Sequence, residues 1–303
     1  MQRARATKRN PAYWPRLLCF GAVSLGIMLL MALLLFGFLN MWQLTHAPCT
    51  AGGGSPADYG YDYEDISIQA REGDGTHRGY YIPSQNGANI IFPPAFSNGR
   101  DGALHEADVL ARHGYGVLTY ESRSCIGQIN TLGYREVDDL AAALDWLLAR
   151  PDVDPERIGV QGFSSAGASA TLGAARLPAL RAVVAEGGYH DLRAIAVGSH
   201  NNRVEILVHL GAQLGYRLTT GVNIGNVSPV SVIHQIAPRP ILLIYGSEEV
   251  SLPGARQQLA AAGEGAQLWV VEGAGHGGYL YTAPEEYERR VVDFFDAALP
   301  GDE

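Results

Sequence analysis

Lysine is almost absent: Lys8 stands alone among the 22 basic residues of this 303-residue chain. Cysteine is scarce too, with Cys19, Cys49 and Cys125 and no CxxC or Cys/His ligand spacing, so nothing points to a structural zinc site or a dense disulfide scaffold. Acidic residues are missing before Asp58, whereas Arg3, Arg5, Lys8, Arg9 and Arg16 crowd the first sixteen positions. The chain nevertheless carries a net charge of −9, so the part after residue 57 is strongly acidic. A phosphate backbone needs a positive face, and nucleic acid is therefore excluded as the expected partner. Charged residues are only 17% and apolar residues 47%, which suits a packed core rather than disorder. No motif calls for a metal ion or an organic cofactor, and none is expected. Cys49 and Cys125 could pair in an oxidising compartment or stay two separate thiols.

One apolar run is long. Leu17 to Leu39 carries no charge, and as a helix it would extend about 34 Å, enough to cross a hydrocarbon core. The basic flank before it favours a cytoplasmic N-terminus and an extracytoplasmic body, and Trp14 and Trp42 bracket the run as interfacial aromatics do. A cleaved signal peptide is the rival reading. The run exceeds a usual signal core of roughly 7–15 residues, so an uncleaved single-pass anchor in the cell membrane is expected. The organisation that follows is a cytoplasmic basic segment over 1–16, a transmembrane helix over 17–39, a flexible tether over 40–60, and a globular domain over 61–303. Nothing in the chain speaks to oligomeric state.

The body alternates strand and helix. Strands are expected at Asp65–Gln69, Gly79–Ile82, Asn89–Phe92, Gly116–Glu121, Arg157–Gly162, Arg181–Glu186, Ile241–Tyr245 and Gln267–Glu272. Most are continuous apolar runs, the signature of strands buried on both faces of a mainly parallel sheet. Helices are expected over Leu104–His113, Tyr134–Arg150, from the turn at Ser164 onward, and over Pro284–Leu299, where Pro284 suits a first turn. This predicts an eight-stranded, mostly parallel α/β sheet flanked by helices. Such sheets bind ligands at the carboxyl ends of their strands. Between the sixth and seventh strands the connection is long. Ile206, Leu207, Leu210 and Leu214 give it an apolar helical face, expected to form a lid over about 192–228, above the site.

Three residue types that acyl-transfer chemistry needs stand just after predicted strands. Gly162-Phe163-Ser164-Ser165-Ala166-Gly167 reads as a tight strand–helix turn that lifts the Ser164 hydroxyl above the sheet. Ser165 is the alternative nucleophile, but it would leave Phe163 at a crowded position. Gly273-Ala274-Gly275-His276-Gly277-Gly278 puts a histidine in an open turn, where a general base is required. Ser247-Glu248-Glu249-Val250 supplies an acid to orient that base, with Asp191 as a lesser substitute. The order Ser164, Glu249, His276 is serine–acid–histidine.

Over about residues 65 to 299 the chain resembles the α/β-hydrolase superfamily, in particular bacterial esterase- and serine-peptidase-like members related to dienelactone hydrolases, acyl-aminoacyl peptidases and serine aminopeptidases. The resemblance rests on GFSSAG, GSEEVSLP and GAGHGGY, together with REVDDLAAALDWLLARPDVDPERIGVQGFS and SPVSVIHQIAPRPILLIYG. It implies catalytic roles for Ser164, Glu249 and His276. The chain departs from the family in having Glu249 where aspartate is usual and Ala166 where the turn usually has glycine. After the third strand it reads Phe92-Pro93-Pro94-Ala95-Phe96 where a His-Gly pair is common. Proline has no N–H to donate, so the oxyanion hole is expected to use the N–H of Ser165 and one from Ala95 or Phe96. The implied function is hydrolysis of an ester, thioester or amide in a small-molecule or peptide acyl substrate. A non-catalytic, membrane-displayed binding module is the alternative.

Overall fold

The apolar runs take their places in one eight-stranded sheet. In the computed structural model, which describes residues 13–71, 73, 75–195 and 202–301, the strands are β1 (Glu64–Gln69), β2 (Thr76–Ile82), β3 (Asn89–Phe92), β4 (Gly116–Tyr120), β5 (Ile158–Phe163), β6 (Ala182–Glu186), β7 (Ile241–Gly246) and β8 (Ala266–Val271). Their order across the sheet is β1-β2-β4-β3-β5-β6-β7-β8. Among the described strands β2 is antiparallel to both of its neighbours, β1 and β4, and every pairing from β4 to β8 is parallel. The helices are α1 (Tyr13–Thr45), α2 (Leu104–Ala111), α3 (Glu136–Leu148), α4 (Ser165–Arg176), α5 (Leu192–Ile195), α6 (Arg203–Thr220), α7 (Pro229–Val232), α8 (Leu252–Ala262), α9 (Tyr279–Thr282) and α10 (Pro284–Ala298).

Both sheet faces are covered, which explains why the strands read as unbroken apolar runs rather than alternating ones. Ile91, Leu118, Val160, Val183 and Leu243 pack under α3, α4 and α8. Their chain neighbours Ile90, Val117, Val184 and Leu242 point the other way, under α2 and α10. The register then aligns the strand ends. Phe163 lies beside Glu186, Glu186 beside Ile244, and Gly246 beside Val271. The residues that follow β5, β6, β7 and β8 therefore emerge along one edge.

The N-terminal helix is longer than expected. α1 continues to Thr45, and its span Pro15–Thr45 is long and apolar enough to cross a membrane. Residues 15–32 are exposed throughout; from Leu33 onward one side turns inward through Gly37, Met41 and Thr45. The flanking Arg3, Arg5, Lys8 and Arg9, and the side chain of Trp14, lie outside the described residues.

The expected flexible tether is tied down. Cys49 is bonded to Cys125. Thr50 forms a parallel bridge with Asn98, its N–H donating to the Ser97 carbonyl at 2.8 Å. Pro56 is buried in a short helical turn over Pro56–Tyr59. Extended backbone that finds a strand partner and a covalent staple has no reason to stay a linker, whatever its glycine content. The staple closes a loop with a sequence separation of 76, worth about 4 kcal/mol in chain entropy. Replacing Cys49 and Cys125 together by serine is expected to cost most of that in thermal or denaturant unfolding. Unchanged stability in the double variant, with dithiothreitol also without effect on the wild type, would remove the staple from the account.

Candidate active site

The turn after β5 explains the glycines around Ser164. Ser164 holds φ 58° and ψ −122°, a conformation that side chains rarely adopt. A Cβ at Gly162 would lie 2.5 Å from the Ala166 carbonyl oxygen, and one at Gly167 would lie 2.9 Å from the Glu186 carbonyl oxygen. The close backbone approach of this turn is thus made by Gly162 and Gly167. Ala166, buried at the fifth position, fits. The Ser164 N–H donates to the Glu186 carbonyl at 2.7 Å, which seats the turn on the end of β6.

His276 follows β8 in an open turn. Its Nε2 is 3.0 Å from Ser164 Oγ and its Nδ1 is 2.7 Å from Glu249 Oε1. The three side chains expected from their chain positions therefore form one hydrogen-bonded row along the carboxyl edge of the sheet. The Phe163 ring packs on the imidazole with centroids 4.7 Å apart. On the other side Gly187, at φ 57°, leaves no room for a side chain: a Cβ there would crowd the imidazole and the Tyr279 hydroxyl.

Glu249 is buried, yet every acceptor position is used. Oε1 accepts from His276 and from the Ser251 hydroxyl at 3.0 Å. Oε2 accepts from the Gly246 N–H at 2.7 Å and the Tyr279 hydroxyl at 2.6 Å. Burial pushes the carboxyl upward, but the hydrogen bonds from His276, Tyr279, Gly246 and Ser251 outweigh it and hold Glu249 below the usual carboxylate range. It is an anion built to remain one. Tyr279 is not among the residues expected from the sequence; it stands three residues after His276 in the GAGHGGY stretch, and only the fold sets its hydroxyl against Glu249.

Other candidates separate from the row. Asp191 pairs with Arg193 at 2.6 Å and accepts from the Ser228 hydroxyl at 2.9 Å, so it serves α5 and α7 rather than His276. Ser165 is buried, and its Oγ accepts from the Phe96 N–H at 2.6 Å. As the first residue of α4, Ser165 directs a backbone N–H that has no intrahelical acceptor. The other expected donors are less simply placed. The Phe96 N–H is engaged by Ser165 Oγ, and Ala95 lines a cavity of about 30 Å³ below the turn.

That cavity also touches Glu106, Gln161 and Glu186. Glu186 is fully buried, its Oε1 accepting from Gln161 and Tyr287 at 2.6 and 2.8 Å. Burial first, then the nearby Glu106 carboxylate, push it up to about 8, against smaller opposing contributions from those two hydrogen bonds. The folded state therefore holds a proton on Glu186 that the unfolded chain releases near 4.5, and stability falls as pH rises between those values. The slope from this group is about 1.4 kcal/mol per pH unit at most. Glu186→Gln is expected to flatten the decline in Tm between pH 5.5 and 8. An unchanged profile would show that another group sets it.

Ile206, Leu210 and Leu214, expected to line the serine as a lid, are exposed instead. α6 packs its opposite side, Gly211, Ala212, Gly215 and Tyr216, against α1 and the body. Part of the expected lid, residues 196–201, lies outside the described residues.

The strand order has one antiparallel member near the edge, with a positive-φ serine after the fifth strand, an acid after the seventh and a histidine after the eighth. The chain has the α/β-hydrolase fold. Comparison with known proteins agrees. The family model of X-Pro dipeptidyl-peptidase (S15 family) matches residues 64–210. The chain is 24% identical to the uncharacterized protein PA2218 of Pseudomonas aeruginosa over 78% of its own length and 81% of that protein's. The esterase Pf2001 of Pyrococcus furiosus superposes with a TM-score of 0.67 at 21% identity, covering 83% of this chain and 98% of the esterase. An acylaminoacyl peptidase from Pyrococcus horikoshii gives 0.59 at 17% identity, covering 80% of this chain and 43% of that one.

Proposed function

We propose that this α/β-hydrolase is a membrane-anchored serine hydrolase that cleaves an ester, thioester or amide through an acyl-enzyme on Ser164. The observation that carries the reading is the row Glu249–His276–Ser164, with contacts of 2.7 and 3.0 Å. In the first step His276 Nε2 takes the Ser164 proton as Oγ attacks the substrate carbonyl. Glu249 accepts from Nδ1–H, fixes the tautomer and stabilises the imidazolium. The imidazolium then gives its proton to the leaving group. In the second step the same nitrogen draws a proton from water as its oxygen attacks the acyl carbonyl, and the imidazolium returns that proton to Ser164 Oγ as the acyl–Oγ bond breaks and the acid product leaves. The Ser165 N–H, at the positive end of α4, meets the developing oxyanion. Phe96 supplies the second N–H once Ser165 Oγ yields it. The activities that name the relatives, an esterase, an acylaminoacyl peptidase and an X-Pro dipeptidyl-peptidase, all attack an acyl carbonyl, which supports the reaction class.

The anchor belongs to the same proposal. α1 crosses the bilayer with its basic flank in the cytoplasm, and the body lies outside. A disulfide between Cys49 and Cys125 supports that side, because such bonds persist in oxidising compartments. Packing of Gly37 and Met41 against the body supports retention of the helix.

The test is labelling of the full chain in detergent by a fluorophosphonate, with the adduct mapped to the Ser164 peptide and hydrolysis of short p-nitrophenyl esters followed in parallel. Folded wild-type protein that neither labels nor hydrolyses any member of an ester, thioester and peptide panel would overturn the reading.

A further inference from the structure

α6 and α1 are in unusually close contact. A Cβ at Gly37 would run into the Val208 carbonyl, and one at Gly211 would run into the Leu34 carbonyl. A Cβ at Gly215 would lie 3.0 Å from Phe38 Cα. Backbones approach this closely only where both helices offer small residues, here Gly37 on α1 and the Gly211-x-x-x-Gly215 spacing on α6. Gly211 meets Leu34 and Gly215 meets Phe38, four residues further along each helix, so the two run parallel. Leu34, Gly37 and Phe38 all lie inside the uncharged run Leu17–Leu39.

The level of α6 follows from this pairing. If the uncharged run of α1 lies in hydrocarbon, the part of α6 beside Leu34–Phe38 lies there too. The outward face of α6 has the chemistry for it. Ile206, Leu210, Leu214 and Leu218 form one row at four-residue spacing, each about half exposed or more, with Val204 nearby. No Asp, Glu, Lys or Arg occurs between Ile206 and Tyr216; Arg217 stands at the end nearer the body, and Arg203 and Glu205 stand at the opposite end, which the parallel course sets deeper along α1. On α1, Leu35, Phe36 and Leu39 continue the exposed apolar surface beside the seam. A row of large aliphatic side chains in water is costly in proportion to the apolar surface it exposes.

We infer that α6 is a second membrane-seated element, its row Ile206–Leu210–Leu214–Leu218 immersed in the acyl chains of the outer leaflet that surrounds α1. The inference rests on the reading of α1 as a membrane-spanning helix. It makes the long connection after β6 a device that holds the body against the bilayer in one orientation, rather than a cover over Ser164. Tyr216, on the inner side of the same helix, donates to the Thr131 carbonyl at 2.6 Å. The adjacent Asn130 donates through its side-chain amide to the Phe96 carbonyl, while its backbone N–H donates to the Thr45 carbonyl at 3.0 Å. The bilayer-facing helices are thus joined to the loop that borders the serine.

The experiment uses the full chain with Cys19→Ala, reconstituted in vesicles of phosphatidylcholine and phosphatidylglycerol. Single cysteines at Leu210, Leu214, Leu29 and Asp293 carry an environment-sensitive fluorophore, and fluorophosphonate labelling checks that each variant is folded. Nitroxides on the lipid acyl chains are expected to quench the probes at positions 210 and 214 as strongly as at position 29, with iodide ineffective; position 293 should behave oppositely. Quenching of position 29 by lipid but of 210 and 214 by iodide would overturn the inference and leave the anchor standing. Access of iodide to position 29 would overturn the anchor reading and the inference with it. Protection of 210 and 214 from both quenchers would place another protein surface, such as a second copy, on the row and overturn the lipid assignment.

Discussion

Ser164→Ala is expected to lower kcat for ester hydrolysis by about 10⁶-fold, some 8 kcal/mol of barrier, and to abolish fluorophosphonate labelling while the chain stays folded. The size of the effect follows from the row itself. Without Oγ, His276 has no hydroxyl to deprotonate, and only the N–H donors at the edge of α4 remain to act on a bound carbonyl. The backbone makes a second, independent prediction at the same residue. Ser164 keeps φ 58° and ψ −122° against its own Cβ, a strain of about 1–3 kcal/mol. Alanine keeps the Cβ and so keeps the strain, and Ser164→Ala should unfold at nearly the wild-type temperature. Glycine relieves it, and after its own entropic penalty Ser164→Gly should be more stable by about 1 kcal/mol. Dead but stabilised is the signature of a turn shaped for reaction rather than for folding. Ser165→Ala is the internal control. Its Oγ only accepts from the Phe96 N–H in the resting site, so kcat should stay within about tenfold of wild type, a change of no more than about 1.4 kcal/mol. Loss of labelling in Ser165→Ala with labelling kept in Ser164→Ala would exchange the roles of the two serines.

The strands were legible because burial on both faces leaves only apolar runs, and β3 begins and ends where its sequence run does, at Asn89 and Phe92. The row of Ser164, Glu249 and His276 is legible as a geometry because each of the three follows a predicted strand, and those strands end at the same edge. What escaped was direction. Periodicity shows that Ile206, Leu210 and Leu214 share a face, but not which neighbour the face meets. That was decided by glycines on the other side of α6, whose spacing is plain in Gly211–Gly215 but whose partner, Gly37, lies far earlier in the chain. The tether expected over 40–60 reads as flexible for a similar reason. Glycine content describes what backbone can do alone, and here Thr50 found Asn98 and Cys49 found Cys125. Tyr279 was hidden by its type: an aromatic residue in a turn most often packs, and its hydroxyl gains meaning only when Glu249 is placed beneath it.

Glu249→Gln is expected to lower kcat/KM by about 10⁴-fold with little loss of stability. The argument is one of hydrogen-bond sign. Oε2 faces two donors, the fixed Gly246 N–H and the Tyr279 hydroxyl, so the amide oxygen of glutamine belongs there. The amide nitrogen is then left at the Oε1 position, facing His276 Nδ1. A donor at that point requires Nδ1 to accept, which moves the ring proton to Nε2, the nitrogen that must take the proton of Ser164. The variant therefore holds the row in place with the base in the wrong tautomer. Tyr279→Phe and Ser251→Ala each remove one donor from the carboxylate and leave the other three, so each should cost far less, on the order of tenfold, because Glu249 stays ionised and His276 stays oriented. Glu249→Asp withdraws the carboxylate by one methylene and should fall between the two groups. Steady-state kinetics with a p-nitrophenyl ester, read beside the ¹⁵N shifts of the His276 ring, separates a tautomer defect from a folding defect. A Glu249→Gln protein with near-wild-type kcat/KM, or one whose imidazole still carries its proton on Nδ1, would show that the acid after β7 does not orient the base.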